Sequence, residues 1–457
     1  MLPPGHSHPM EIRSTIGEVP TFWDRNVIFI ANLLGLFFGN EEETRMLADE
    51  VGEVDSYGGR LLSMLDLVYR GNGENHLALE RSPDEALVEY FRSCGLSLPG
   101  FSVLTHGEYV RLGPGGDAEH PFLDLIRELD AEALDGYVTD HILAAVAERT
   151  GKRTISTPEG SREGNNKTLL HQFLESRELP LPPTELAEKP GEIEPALARL
   201  KAAGYSAAVI RAALGASGIG MVKVTDLSSR GEVAMPGHFF REGPCLVQAW
   251  LKPGEFGVTS VRSPSVQLFL AEDEVRLFDT TEQILSEDSV HEGNESPPFY
   301  VREHRGLQDE LLRQAGMAGE WLHGRGYRGT ASVDFLVTFR EGIDYTVHVC
   351  EINARVTGAT YPSVLARHFL PEGAWLLRNL RFLRPLPGKD LLDLLRDSGD
   401  LFVPGESEFG VFPVNFNHGK DDLVHKGQFL CLSKSRLGNR QLLHLAELDL
   451  PCRAERD

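Results

Sequence analysis

Apolar and polar positions alternate most clearly between Ala331 and Asn353. Val333, Phe335 and Val337 interleave with Asp334 and Leu336, and after a bend at Arg340–Asp344 the residues Val347, Val349, Glu351 and Asn353 share one parity. Strand side chains repeat every two residues, so this period predicts a hairpin of strands Ala331–Phe339 and Tyr345–Asn353. Folding at Gly342 brings Asp334 to within about one position of Glu351 across the pair.

The same reading predicts an α/β unit over roughly the first third of the chain. It has a buried strand at Val27–Ala31 and helices at Asn40–Ala48, Arg81–Cys94 (Ser82 as N-cap, Gly95 as stop) and Thr139–Glu148. Ser156–Asn166 is polar and glycine-rich and reads as a boundary. Lys167–Arg177 and Ile193–Ala203 follow as amphipathic helices. Strands at Ser206–Ala212, Met221–Val224, Leu246–Leu251, Val258–Val261, Ser265–Ala271 and Val275–Asp279 come next. Thr281–Pro298 lacks an apolar period and reads as a mobile loop near a site. Leu307–Gly324, Tyr361–Leu370, Ala374–Leu380 and Asp390–Ser398 read as helices, with short strands around Gly410–Asn415 and Gln428–Ser433 before a polar tail.

At 457 residues with 41% hydrophobic content the chain is expected to form about three domains with real cores. Its net charge of −23 argues against nucleic acid or an anionic membrane as partner. Five scattered cysteines without CxxC spacing suit free thiols in a reducing cytoplasm. Val27–Phe38 is too short to span a bilayer, and no basic flank and apolar run open the chain, so a cytoplasmic protein is expected.

Candidate chemistry begins at the hairpin. Two neighbouring carboxylates, Asp334 and Glu351, repel unless a cation lies between them. With the Asn353 amide they make a hard oxygen set suited to Mg²⁺ or Mn²⁺ carrying nucleotide phosphates, although the same residues on a solvated face would need no metal. Lys167 sits in the first turn of a helix, where a cation is unfavourable unless it faces an anion. Between two strands, Gly215, Ser217, Gly218 and Gly220 form a flap whose backbone N–H groups can nest phosphates, without the lysine and following helix of a Walker loop. Arg211 precedes that flap with a fixed charge. Gln248, in an otherwise apolar strand, can both donate and accept at a purine edge. Glu255 opens the strand after the Pro253–Gly254 turn.

Taken in order, Lys167, Arg211, the glycine flap, Gln248, Glu255, Asp334 and the Glu351-x-Asn353-x-Arg355 run resemble the ATP-grasp superfamily over about residues 160–385. The resemblance implies an α+β and α/β protein: a pre-ATP-grasp α/β domain over 1–160, an N-lobe over 161–250, a C-lobe over 251–385 and a small C-terminal segment over 386–457. It implies ATP and Mg²⁺ (or Mn²⁺) as cofactors. Lys167 and Arg211 would hold phosphates, the flap would cover them, and Gln248, Leu251 and Glu255 would meet adenine and ribose. Asp334, Glu351 and Asn353 would bind the metal, and Arg355 would steady the reacting acyl group. Two departures stand out: Arg211 where the family usually has Lys, and Gln248 where many relatives have Glu. The preceding domain and the C-terminal segment resemble those of bacterial peptide ligases of the pheganomycin type. That implies a small carboxylate such as an amino acid and a peptide amine as partners, and is compatible with a homodimer. A carboxylase-like ligase with another acceptor, or a nucleotide-binding regulator without turnover, would share most of these residues.

Overall fold

The computed structural model describes residues 10–19, 23–52, 56–71, 73–117, 119–216, 218–229, 231, 233–285, 291–342 and 344–452. Three sheets organise them. The first is parallel, in the spatial order Gly100–Val103, His76–Leu79, Val27–Ile30, Ala133–Gly136, Arg153–Thr154. Its central strand is buried throughout, with Phe29 in one apolar cluster and Ile28 and Ile30 in another. A strand covered on both faces needs a continuous apolar run, which is why Val27–Ile30 shows no alternation.

The second sheet is antiparallel, in the order Thr184–Ala187, Cys245–Ala249, Ala208–Arg211, Met221–Val224. Helix Ile193–Ala202 buries Ile193, Ala196, Leu197 and Leu200 beside it. The third sheet has ten strands, and its path ends with Ala374–Leu386, Val424–Ser433 and Gly410–His418. Strand Tyr345–Asn353 branches from Gly329–Arg340, and Glu11–Ser14 joins Glu274–Leu285 in parallel.

Several expectations are corrected. Helix Glu85–Ser93 starts later than expected: Asp84, not Ser82, accepts from the Leu87 N–H at 3.0 Å. Ser156–Asn166 is not an open boundary, since Pro158–Gly164 is helical with Thr157 as its cap. Its glycines serve close packing rather than a turn. A Cβ at Gly160 would stand 2.6 Å from the Tyr327 nitrogen, and one at Gly164 2.4 Å from Leu322.

Thr281–Pro298 is likewise no loop: Glu274–Leu285 runs through its start, and His291–Ser296 is a strand paired on both sides, to Glu282–Leu285 and to Trp375–Arg378. Backbone pairing on two flanks outweighs the missing apolar period, and Ser296 donates its hydroxyl to Asp279 at 2.9 Å. Residues 286–290 of that stretch lie outside the described residues. Ala374–Leu380, expected as a helix, belongs to strand Ala374–Leu386. Trp375, Leu376 and Leu377 are buried in succession there, and a strand covered on both faces imitates a buried helix in sequence. The expected polar tail contains helix Arg436–Asp449, which turns Leu442 and Ala446 inward.

Candidate active site between two antiparallel sheets

The hairpin register pairs Asp334 directly with Glu351 and Ser332 with Asn353. One residue, Cys350, is extra: Asp334 faces Glu351 while Phe335 faces Val349. This bulge reverses the alternation of the second strand. Before it, Val347 and Val349 enter the apolar core; after it, Ile352 and Ala354 do. Val347 and Val349 therefore do not share a face with Glu351 and Asn353, contrary to the sequence pattern. Only because of the bulge does Glu351 lie on the same side of the sheet as Asp334.

On that side the Asn353 amide donates to Asp334 at 2.9 Å, and the Ser332 hydroxyl stands 3.4 Å from the same carboxylate. Burial raises the Asp334 carboxyl above its usual range, and the adjacent Glu351 charge adds to the rise. Burial acts on Glu351 in the same direction, but Lys167, Arg211 and Arg355 outweigh it and hold Glu351 low. Arg211 donates to Glu351 at 2.5 Å, and the Lys167 ammonium stands 3.4 Å away.

These cations come from elements outside the hairpin: Lys167 from a helix whose Leu170 and Leu174 pack in the hairpin's core, Arg211 from the four-stranded sheet. Lys167 begins helix Lys167–Ser176, capped by Asn166, and its N–H donates to the Ala213 carbonyl at 2.8 Å. Its ammonium donates to the Gly215 carbonyl at 2.9 Å, tying helix start to flap. Burial lowers its pKa, with Glu351 opposing. Arg211 ends its strand and spreads its guanidinium over three acceptors: Glu351, the Cys350 carbonyl at 3.1 Å and the Gln248 amide oxygen at 3.2 Å. Gln248 donates in turn to Thr184 at 3.0 Å. Within the flap, Gly218 and Gly220 take positive φ (81° and 77°), and a Cβ at Gly215 would meet the Ile219 carbonyl at 2.6 Å. Ser217 lies outside the described residues.

The structure thus joins Lys167, Arg211, Gly215, Gln248, Asp334, Glu351 and Asn353 in one contact network. Arg355 feels both acids and is itself lowered by burial. Leu251 packs at the margin of the second sheet's core. Glu255 stands apart, accepting from the Ser206 hydroxyl and pairing with Lys252 at 3.4 Å. Sequence reading missed Asn165, whose side-chain oxygen accepts from Arg355 at 2.7 Å and from the Ala354 N–H at 3.1 Å. Only its place before the helix cap marked it. It also missed Cys350, whose role is positional and carries no chemical signature.

Among the described residues, no three or more His, Cys, Asp or Glu side chains form a metal-holding group. The donors present are two carboxylates and one amide, hard oxygens on one sheet face, with Asp334 in need of a counter-charge. That set fits a hard divalent ion.

The antiparallel four-stranded sheet and the largely antiparallel ten-stranded sheet, joined by the Lys167 and Arg211 contacts to Glu351 and accompanied by a parallel five-stranded sheet, define the fold class. The chain has the ATP-grasp fold. Its structure superposes on the biotin carboxylase–β,γ-ATP complex of Campylobacter jejuni with a TM-score of 0.56, at 13% identity, covering 94% of this chain and 92% of the other. An ADP complex of N5-carboxyaminoimidazole ribonucleotide synthetase matches with a TM-score of 0.54, at 11% identity over 93% and 97% of the two chains. In sequence, the butirosin acyl-carrier protein L-glutamate ligase of Niallia circulans is 25% identical over 300 residues. That match covers 65% of this chain and 64% of the relative, so it spans less than two thirds of the relative's length. No family model matches the chain. Among the described residues, no helix is long and apolar enough to cross a membrane.

Proposed function

We propose that the protein is an ATP-dependent carboxylate–amine ligase that forms ADP and phosphate through an acyl phosphate. The observation that carries this reading is the convergence of Lys167 and Arg211 on Glu351, beside Asp334 and Asn353. The ligase relative and the ATP-grasp fold support it.

In this reading Lys167 and Arg211 leave Glu351 in part to hold phosphate oxygens, already oriented by the ion pairs they make without nucleotide. Gly215, Ser217, Gly218 and Gly220 cover the phosphates. Gln248 meets the adenine edge, Leu251 offers backbone contact to the base and Glu255 reaches the ribose. Asp334, Glu351 and Asn353 would hold Mg²⁺, which when bound neutralises phosphate charge. A carboxylate oxygen attacks the γ-phosphorus and ADP leaves. An amine then attacks the acyl carbon, the tetrahedral oxyanion forms near Arg355, and phosphate departs as the amide forms. Water would hydrolyse the acyl phosphate, so the flap must be closed during its lifetime.

The finer reading is the carboxylate of an amino acid or modified amino acid joined to the amine of a peptide in peptide natural-product assembly. The test incubates purified protein with Mg²⁺-ATP and panels of amino acids and peptides, following ADP and the mass of the coupled product. ADP with an amide product is expected; AMP with pyrophosphate would overturn the acyl-phosphate route.

A further inference from the structure

Helix Arg436–Asp449 covers the last strands of the large sheet with one face and leaves its other face bare. Leu442, Ala446 and Leu450 enter the apolar core with Leu430 and Leu432 of the strand beneath. On the opposite side Leu437 and Leu448 are each 68% exposed, which no other large apolar side chain among the described residues exceeds, and Leu445 is 46% exposed. Phe409, also exposed, follows Glu408, which pairs with Lys434 just ahead of the helix. Single exposed apolar residues are ordinary on a protein surface, whereas a cluster of this kind marks an interaction site.

The spacing of the bare face indicates what covers it. At about 100° per residue, Leu437, Gln441, His444 and Leu448 fall within about 60° of one another around the helix. Their intervals of four, three and four residues are those of a coiled-coil seam, with two leucines outside and two exposed polar residues between them. The seam fits its own copy run in reverse. Antiparallel pairing about a two-fold axis sets Leu437 of one helix against Leu448 of the other, and Gln441 against His444, where each side chain offers both a donor and an acceptor. That polar middle fixes the register.

Charge selects the direction. One flank of the seam carries Arg440 in the first half of the helix and Glu447 in the second. Arg440 is 64% exposed, and its ion pair within the chain, to Glu295, is long at 3.8 Å. Antiparallel pairing brings Arg440 of each copy beside Glu447 of the other, whereas parallel pairing would set arginine against arginine and glutamate against glutamate. The other flank sets Leu445 beside Gly438 of the second copy, a position with no side chain in the way.

We infer that this helix face binds a second copy of the chain, and that two copies form a two-fold dimer through antiparallel pairing of their Arg436–Asp449 helices. The surface is small, so the dimer forms at micromolar concentrations rather than being permanent. The net charge of −23 opposes unspecific association, which leaves the matched surface to hold the copies together.

The test is sedimentation velocity of the full chain from low to high micromolar concentration. Wild type is expected to pass from monomer to dimer and no further. The double variant Leu437→Asp/Leu448→Asp should remain monomeric throughout, with unchanged thermal midpoint and ATP affinity, since both side chains lie outside the core. Arg440→Glu and Glu447→Arg should each weaken self-association roughly tenfold, because like charges then meet twice across the axis. An equimolar mixture of these two variants restores opposite charges at both contacts and should dimerise at least as tightly as wild type. If the double variant misfolds, the mixture decides alone. A wild type that stays monomeric, a dimer that survives the double variant in folded form, or a mixture no tighter than its separate components would overturn the inference.

Discussion

Arg355 donates to the side-chain oxygen of Asn165 at 2.7 Å, across 190 positions of sequence. The same oxygen receives the Ala354 N–H, and the Asn165 amide donates to the Ser161 carbonyl at 2.7 Å. Asn165 is thus fixed by helix Pro158–Gly164 and in turn aims the guanidinium. Arg355→Ala is expected to lower kcat for amide formation about 10²- to 10³-fold. Asn165→Ala should lower it about 10- to 100-fold with little change in the KM for ATP. Because one acts through the other, the double variant should be no slower than Arg355→Ala alone. Additive losses in steady-state kinetics would show that Asn165 does not work through Arg355.

The glycines of that same helix make a separate prediction. Gly160 faces backbone atoms of residues 325–327 at 2.6 to 2.8 Å from an added Cβ, and backbone cannot rotate aside. Gly160→Ala should destabilise the protein by roughly 1–3 kcal/mol despite the better helix propensity of alanine. Thermal denaturation against wild type measures this, and an unchanged or raised midpoint would contradict the packing described.

Ile219 is 8% exposed among Leu34, Leu36, Phe37, Leu47 and Val138, so the flap tip docks on the parallel domain. Ile219→Ser should weaken closure without touching a phosphate-facing group. On the proposed acyl-phosphate route water would then reach the intermediate, and ADP released per amide formed should rise several-fold while ATP consumption persists. Comparing the two products in one reaction gives the ratio; tight coupling in the variant would mean the docking is not needed for closure.

His348 is 7% exposed, and burial lowers its pKa from 6.5 to about 4. The folded state holds it neutral while the unfolded chain protonates near its ordinary value of about 6.5. Its contribution to stability is complete above that pH and is lost as pH falls towards the folded value, by up to about 3 kcal/mol. His348→Leu removes this term. Thermal midpoints of the two proteins should therefore diverge between pH 6.5 and 4, with wild type falling faster; parallel curves would contradict a neutral buried imidazole.

Local signals settled much of the architecture without coordinates. The apolar period from Lys167 to Arg177 announced a helix, the paired alternation around Gly342 announced the hairpin, and the glycines after Arg211 announced a flap between strands. Each depends on neighbours within a few residues, which a sequence displays directly. The order of charged residues also brought Lys167, Arg211 and Glu351 into one hypothesis, and the ion pairs join them.

What the sequence could not display were choices made by distant partners. Ser296 and Asn294 sit in a central strand because two other strands hydrogen-bond to it, and Trp375–Leu377 extend rather than coil for the same reason. The extra residue at Cys350 is decided by the register of two strands, and it alone turns Glu351 towards Asp334. Side-chain period determined which residues could face a site; cross-strand pairing decided which of them do, because a ladder's hydrogen bonds outweigh the alternation of a single strand.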